Sequence, residues 1–284
     1  MFIVTIMMAI LIGIVIYKGY QNTHSVVMNE IHINHRSADR AGGSSLKILH
    51  LSDLHLENIS ICPNTLYHRV KKLDIDLVAV TGDFLDRKRS LPKLIPYLKV
   101  LNKLNPSYGS YAVFGNHDYV LKDKYFHQLK KILNDFGLKT LQNQNDLIQI
   151  GNKRINIIGI DDFSTKRSNL KESYKGVENG YNLVFTHDPN VVLSMKEEYH
   201  FDYLLSGHFH GGQIHWPKPY HLVKMGKLVK MNMLKGLHHY KERPFYINEG
   251  LGQTGVNIRI GSRPEITVHN VTIPEEVKEV GAAM

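Results

Sequence analysis

Short apolar runs alternate with amphipathic stretches along most of the chain, which predicts strands that alternate with helices. Apolar runs predict strands at residues 47–51, 77–80, 110–114, 183–185, 203–205, 245–247 and 266–268, an edge strand over 26–34, and a hairpin of 147–150 with 155–158. Amphipathic stretches predict helices over residues 64–72, 91–104 and 123–136, and a short helix lies between 185 and 203. The pattern therefore indicates an α/β (α+β) fold.

The first apolar run differs from the others, because residues 2–17 contain no charge and Lys18 ends them. As a helix this run spans roughly 24 Å, the short end of a bilayer crossing. No Lys or Arg precedes it and no Ala-x-Ala pattern follows, so a retained single-pass anchor in the cell membrane is favoured over a cleaved signal peptide. A buried core helix is a third interpretation, but the run lacks a polar face. Lys18, Arg36 and Arg40 all follow the run, which favours the cytoplasmic side for the rest of the chain.

These features predict four parts in the chain. Residues 1–20 form a transmembrane anchor, residues 21–45 a polar stalk with the edge strand and a Gly-Ser loop at 41–45, residues 46–273 one domain, and residues 274–284 a tail.

Composition narrows the class of protein. The 284 residues are 43% hydrophobic and 21% charged, which suits a packed globular protein. The single cysteine, Cys62, excludes a disulfide framework and a zinc–thiolate site within the chain. The net charge of +9 favours anionic partners, whether phosphates, nucleic acid or an acidic membrane surface.

Five short polar motifs each follow a predicted strand. They are Asp53-Leu54-His55, Gly82-Asp83-Phe84-Leu85-Asp86, Gly115-Asn116-His117-Asp118, Thr186-His187-Asp188 and Gly207-His208-Phe209-His210. In open α/β sheets, ligands gather at the carboxyl ends of strands, so these motifs are expected to converge. Their carboxylates, amide and imidazoles suit two divalent ions held close together, an arrangement that activates water and hydrolyses phosphate esters.

Spacing suggests which residues hold each ion. Side chains at i and i+2 of an extended segment point the same way, so Asp53 and His55 are expected to share one ion. Asp83 follows Gly82, which permits close backbone approach, and is expected to bridge both ions. Asn116 is expected to contribute a neutral carbonyl oxygen as a ligand. His187 and His208 are expected to bind the second ion, and His210 is expected to reach back to the first. Mixed oxygen and nitrogen ligands fit Mn, with Fe, Zn or Co as alternatives.

Two further residues are predicted to be catalytic. His117 adjoins a ligand and is free to protonate the leaving oxygen. Asp86, three residues after Asp83, is expected to orient His117 and keep it charged.

The motif set resembles the calcineurin-like metallophosphoesterase family over residues 47–271. The resemblance implies a two-sheet β-sandwich flanked by helices, with Asp53, His55, Asp83 and His210 on one metal and Asp83, Asn116, His187 and His208 on the other. The N-terminal run, Gly211-Gly212-Gln213, Gly159-Ile160-Asp161-Asp162 and Arg263-Pro264-Glu265-Ile266 are similar to a bacterial membrane-associated branch. That branch is similar to enzymes that cleave the pyrophosphate of UDP-diacylglucosamine. Phe209 departs from the branch, where Thr is frequent, and puts the local shape in doubt.

Residues 213–241 interleave lysines with apolar residues directly after the last predicted ligand. They form either a solvated loop with some core residues or a basic-apolar lip that contacts anionic lipid. Trp216, Lys218 and Lys224 are its candidate substrate-binding residues.

The leading hypothesis is a monomeric, membrane-anchored phosphohydrolase that cleaves a phosphodiester or pyrophosphate bond. One form of this hypothesis has a lipid-linked substrate. A nuclease or nucleotide phosphodiesterase is the alternative enzyme, although no aromatic-basic platform for nucleic acid is visible and no nucleic-acid partner is expected. A non-catalytic metal-binding interaction module is the third hypothesis, but such a module is expected to lose ligands and none is lost here.

Overall fold

The structure is a computed structural model that describes residues 1–34 and 44–274. Loop residues 41–43, Arg36, Arg40 and tail residues 275–284 lie outside the described residues. The α-helices are α1 Phe2–His24, α2 Pro63–Val70, α3 Leu91–Asn102, α4 Asp123–Asp135, α5 Leu170–Ser173 and α6 Lys227–Lys230. The strands are β1 Val27–Ile33, β2 Ser44–Leu51, β3 Leu77–Thr81, β4 Ser110–Val113, β5 Leu138–Thr140, β6 Gln144–Ile150, β7 Lys153–Gly159, β8 Tyr181–Phe185, β9 Tyr203–Ser206, β10 Gly236–Tyr240, β11 Arg243–Ile247 and β12 Glu265–Ile273.

Within the described ranges the strands form two six-stranded sheets. The first has the order β1-β12-β2-β3-β4-β5 and the second β10-β11-β9-β8-β7-β6. Strands β2 to β5 are parallel in the first sheet, with Ile48 opposite Leu77 and Val78 opposite Ser110. Strands β7, β8, β9 and β11 are parallel in the second sheet, with Leu183 opposite Tyr203. The carboxyl ends of the central strands of each sheet therefore lie at one edge.

The two sheets pack face to face and helices cover their outer faces. Alternate residues of a strand point to opposite faces, so Leu77 and Ala79 of β3 pack between the sheets while Val78 and Val80 pack beneath the helices. Apolar residues of α2, α3 and α4 complete the cluster on the first sheet. A third cluster covers the outer face of the second sheet and includes Phe209. The predicted two-sheet α/β sandwich flanked by helices is confirmed.

Most predicted elements are present with shifted ends. The edge strand is β1, and the hairpin is β6–β7, with Ile150 opposite Lys153 across the Gly151 turn. Short 3₁₀ helices replace the single short helix between β8 and β9. Strands β5 and β10 were not predicted, because β5 has only three residues and β10 has the sequence Gly-Leu-His-His-Tyr.

The N-terminal helix extends beyond the apolar run. The sequence predicted a polar stalk from residue 21, but α1 continues to His24 and buries Gly19 and Thr23 against the domain. Arg259 donates its backbone N–H to the Gly19 carbonyl oxygen at 2.9 Å. Residues 2–17 are all exposed, and α1 is long and apolar enough to cross a membrane. The end of this helix is therefore fixed to the domain.

Candidate metal centre

The five motifs lie at the carboxyl ends of parallel strands in both sheets. Asp53 lies two residues after β2 and Asp83 two residues after β3, and His187 and His208 follow β8 and β9 at the same spacing. Because the two sheets pack together, these ends meet in one place. The backbone N–H of His208 donates to both carboxylate oxygens of Asp53, at 3.2 and 3.1 Å, although the residues are 155 positions apart.

The first group of metal-ligating side chains contains Asp53, His55 and His210. One ligand atom from each lies within 4.8 Å of the others. Asp53 Oδ1 is 3.4 Å from His210 Nε2 and 3.9 Å from His55 Nε2. All three side chains are buried. This spacing leaves room for one cation between an oxygen and two nitrogens.

The second group contains Asp83, His187 and His208. His187 Nε2 lies 3.1 Å from Asp83 Oδ2 and 3.1 Å from His208 Nδ1. His187 Nδ1 lies 2.7 Å from the carbonyl oxygen of Thr81, which only accepts hydrogen bonds, so Nδ1 carries the proton. Nε2 of His187 is therefore directed into the group with a lone pair available to a metal.

Asp83 lies between the two groups. Its Oδ2 atom is 3.4 Å from His55 Nε2 as well as 3.1 Å from His187 Nε2. Its Oδ1 atom accepts the backbone N–H of His117 at 2.9 Å. One carboxylate thus faces imidazoles of both groups.

Several buried polar atoms in this region have no hydrogen-bond partner among the described residues. They include His55 Nε2, His210 Nδ1 and Asn116 Oδ1. Leaving a buried polar atom unpaired costs about 1–3 kcal/mol, so such atoms are expected to bind a ligand, an ion or a water molecule. Asn116 lies between Gly115 and His117, which both contact Asp83. Orphaned oxygen and nitrogen donors beside two Asp/His groups fit divalent metal ions.

His117 and Asp86 form a pair beside the two groups. His117 Nδ1 lies 3.1 Å from Asp86 Oδ1, and the same oxygen also lies 3.2 Å from His55 Nδ1. Asp86 therefore orients two imidazoles. Backbone N–H groups of Asp86 and Arg87 donate to the Glu57 carboxylate at 3.1 and 2.9 Å, which positions the Asp86 loop.

Burial and charge pairing shift the pKa values of the site in opposite directions. Burial alone would lower the pKa of His55, but the Asp83 and Asp86 carboxylates outweigh it and raise it to about 10. Burial would raise the pKa of Asp83, but His187 and His55 hold it well below its usual range. Burial lowers the pKa values of His208 and His210 well below normal. Metal ions bind neutral imidazole, so metal uptake is expected to release protons from this site.

Two glycines allow the carboxylates to come close to the neighbouring loops. A Cβ on Gly115 would lie 2.2 Å from Asp83 Oδ1, and a Cβ on Gly207 would lie 2.2 Å from Asp53 Oδ2. Five non-glycine residues here also adopt positive φ: Asp53, His55, Asp83, His208 and His210. Such conformations cost about 1–3 kcal/mol each and cluster at functional sites.

Several supporting residues were not predicted from the sequence. Asp118 accepts backbone N–H groups from the loops that carry Asp83 and Gly115. Its place as the last residue of the Gly-Asn-His-Asp motif was the available signal. Ser52 donates to Asp53 Oδ2 at 2.5 Å, and Thr81 orients His187. These contacts fix the rotamers of the groups that face the site.

Arg259 is another supporting residue that the sequence did not indicate. Its guanidinium is fully buried and donates to four backbone carbonyl oxygens, those of Glu249, Gly250, Gly252 and Arg263. Gly250 packs so closely on Asp53 that an added Cβ would lie 2.6 Å from Asp53 Cβ. Arg259 thereby holds this loop against the first group.

The candidate substrate-binding residues lie on the surface. Trp216 is 79% exposed, and Lys218 and Lys224 are also exposed. Within the described ranges, none of the three forms a hydrogen bond, ion pair or ring contact with the metal-ligating side chains. Phe209, the departure from the family pattern, is fully buried in the third core cluster and contributes packing.

A sequence profile of the calcineurin-like phosphoesterases matches residues 46–212. The chain is 60% identical to the uncharacterized metallophosphoesterase YkoQ of Bacillus subtilis over 272 residues, which covers 95% of this chain and 100% of YkoQ. It is 30% identical to the phosphodiesterase YaeI of Escherichia coli over 83% of this chain and 86% of YaeI. It is 27% identical to the UDP-2,3-diacylglucosamine pyrophosphatase LpxG of Chlamydia muridarum over 78% of this chain and 82% of LpxG.

The profile covers more than half of the chain, and its range includes all five motifs. The predicted family and the predicted hydrolase activity are confirmed. The chain is a metal-dependent phosphoesterase that belongs to the calcineurin-like phosphoesterase family.

Proposed function

We propose that the protein is a membrane-anchored dinuclear-metal phosphohydrolase that cleaves a phosphodiester or pyrophosphate bond. The observation that carries this proposal is the position of Asp83, whose carboxylate faces His55 on one side and His187 on the other. A carboxylate between two oxygen–nitrogen groups suits a pair of divalent cations held close together. The division of the chain at residues 20, 45 and 273 remains a prediction.

Each ion has a proposed ligand set. Asp53, His55 and His210 with Asp83 would hold one ion, and Asn116, His187 and His208 with Asp83 would hold the other. Bound there, the two cations would supply an activated water as nucleophile and would neutralise the phosphate oxygens. Manganese is the proposed metal, although the same ligands suit Fe, Zn or Co.

His117 is proposed to donate the proton that the leaving oxygen needs. Its side chain is 30% exposed beside the buried ligands, so a substrate can reach it. Burial would lower its pKa, but the Asp86 carboxylate 3.1 Å away outweighs burial and raises it. Asp86 would thus favour the protonated form of His117 and orient its ring.

Two observations support a lipid-linked substrate. LpxG is named for a diacylated sugar nucleotide, and this chain aligns with most of it. The apolar helix α1 would keep the site at a bilayer, with the cytoplasmic side favoured by Lys18. The proposed enzyme acts as a monomer on this substrate and does not bind nucleic acid.

The direct test is hydrolysis of bis-p-nitrophenyl phosphate by the full-length protein in detergent, first stripped of metal and then titrated with Mn²⁺. We expect Mn²⁺ to restore turnover, and Asn116→Ala to lower it by more than about 100-fold. Asn64→Ala, at an exposed position on α2, is the matched control. Turnover without any divalent metal, or equal turnover in Asn116→Ala, would contradict the proposal. Cleavage of a DNA oligonucleotide in preference to a pyrophosphate-linked glycolipid would favour the nuclease.

A further inference from the structure

The segment after the last proposed ligand exposes a compact set of large apolar side chains. We name residues 216–224 the lip. Its exposed fractions are 79% at Trp216, 44% at Tyr220, 69% at Leu222 and 63% at Val223. Four large apolar side chains are therefore exposed within nine residues, a concentration of the kind found at interaction surfaces.

The residues that follow the lip are different. Leu228 and Leu234 are fully buried, and Met225, Val229 and Met233 pack against the third core cluster. The basic-apolar stretch read from the sequence therefore divides into a core part and an exposed part. Packing accounts for the core part but not for the exposed side chains of Trp216, Leu222 and Val223.

The charge around the lip has one sign. From residue 203 to residue 241 the chain contains no Asp or Glu. Lys218, Lys224, Lys227 and Lys230 are exposed and form no ion pair with any described residue, whereas Lys235 is paired with Glu249 at 2.9 Å. This surface complements an anionic partner.

The lip begins beside the end of the N-terminal helix. Gly19 of α1 packs on Ile260, since an added Cβ would lie 3.3 Å from Ile260 Cγ1. Ile260 in turn pairs with Ile214, and the His215 N–H donates to the Ile260 carbonyl oxygen at 2.8 Å. Trp216 is the next residue. One backbone segment thus separates the lip from the helix.

The lip also adjoins the metal-ligating groups. The carbonyl oxygen of Tyr220 would lie 2.2 Å from a Cβ on Gly212, two residues after His210. The lip backbone at Tyr220 therefore packs on the loop that carries His208 and His210.

We infer that the lip enters the headgroup region of an anionic bilayer, the bilayer that α1 crosses, and holds the metal centre at the level of lipid phosphates. This inference rests on the membrane anchor of the proposed function. Aromatic and aliphatic side chains with flanking lysines are the chemistry of such interfacial contacts. A substrate that remains in the membrane would then reach the centre without leaving it.

The test uses the fluorescence of Trp216, the only tryptophan in the chain. Full-length protein is reconstituted into vesicles of phosphatidylglycerol and phosphatidylcholine whose acyl chains carry bromine at a shallow or a deep position. We expect shallow bromines to quench Trp216 more than deep ones. Replacing Lys218 and Lys224 by Ser should weaken insertion of the lip. The equilibrium constant between the inserted, quenched state and the free, unquenched state should fall by roughly fivefold for each lysine removed. K72S together with K171S, at exposed positions elsewhere, is the control for net charge.

A second variant, Trp216→Phe with Ile10→Trp, reports on the helix alone. Quenching at residue 10 without quenching at Trp216 would overturn the lip and leave the anchor intact. The absence of quenching at both residue 10 and Trp216 would overturn the anchor as well as the lip. Hydrolysis of soluble bis-p-nitrophenyl phosphate by the same wild-type samples tests the enzymatic proposal independently of either result.

Discussion

The carboxylate of Asp118 accepts the backbone N–H of Asp83 at 2.9 Å. The same oxygen accepts the N–H of Gly115 at 2.9 Å, and the other oxygen accepts those of Phe84 and Leu85 at 2.9 and 3.3 Å. One buried side chain therefore connects the loop of the central carboxylate to the loop of Asn116. The spacing between the proposed ligands depends on a residue that lies behind them.

Asp118→Asn should weaken metal binding by about 10–100-fold, the usual effect of losing a residue that orients metal ligands. The amide NH₂ would face two backbone N–H donors, so two of the four hydrogen bonds are lost and the two loops are expected to separate. Mn²⁺ titration of the stripped protein, followed by calorimetry, measures the change. Asp74→Asn, at an exposed position, should bind Mn²⁺ like the wild type. Unchanged affinity in Asp118→Asn would show that the loops keep their spacing without it.

His117→Ala should affect substrates according to their leaving group. An alkyl alcohol needs a proton as it departs, so kcat should fall about 10²–10⁴-fold for an alkyl phosphodiester. p-Nitrophenolate departs without a proton, so its diester should lose far less. His68→Ala, exposed on α2, should change neither rate. An equal loss on both esters would assign His117 to phosphate binding instead of proton transfer.

Metal removal should destabilise the folded protein, because the buried carboxylates and imidazoles would lose the cations that they coordinate. Metal at about 100 times its Kd contributes about 2.7 kcal/mol, which corresponds to a Tm difference of roughly 5–10 °C for a domain of this size. Thermal unfolding with and without chelator measures the shift. Asp83→Ala should reduce the shift strongly, while Asp74→Ala should retain it. A wild-type Tm that is insensitive to chelator would contradict metal binding at this site.

Two histidines between the sheets should make stability depend on pH. Burial lowers the pKa of His50 to about 3 and that of His269 well below normal. His50 contacts Thr81 and His269, and His269 contacts Tyr203 and the ring of Tyr246, whose hydroxyl donates to Glu265. Both histidines stay neutral when folded but take up protons when unfolded below about pH 6.5.

Their contribution is therefore complete above about pH 6.5 and is lost as pH falls, by up to about 1.4 kcal/mol per pH unit for each histidine. Urea unfolding of His50→Gln between about pH 7 and pH 5 should show a shallower loss than the wild type. His68→Gln provides the reference slope for an exposed histidine. Identical slopes in all three proteins would mean that His50 is already charged in the folded state.

The local pattern of the sequence was sufficient for most of the fold. Strand β3 reads Leu-Val-Ala-Val-Thr, an apolar run that is buried on both faces, and it was predicted at almost its observed length. Strands β5 and β10 were not predictable in this way, because they are short or polar and depend on pairing with β4 and β11. The end of α1 was also misjudged, since its polar residues are helical through contacts with Arg259 and Ser60.

The residue types and order of the five motifs were determined by the sequence alone, and with them the phosphoesterase chemistry. Tertiary structure decided what lies behind and beside them. The role of Asp118, the second contact of Asp86 with His55 and the position of Arg259 all depend on loops from distant strands. The lip also depends on the tertiary structure. In the sequence its apolar residues resemble those of the core, and only the structure shows that Leu228 is buried while Leu222 is exposed. The physical reason is that a short motif specifies which groups are available, whereas distances between groups 155 positions apart arise only when two sheets pack.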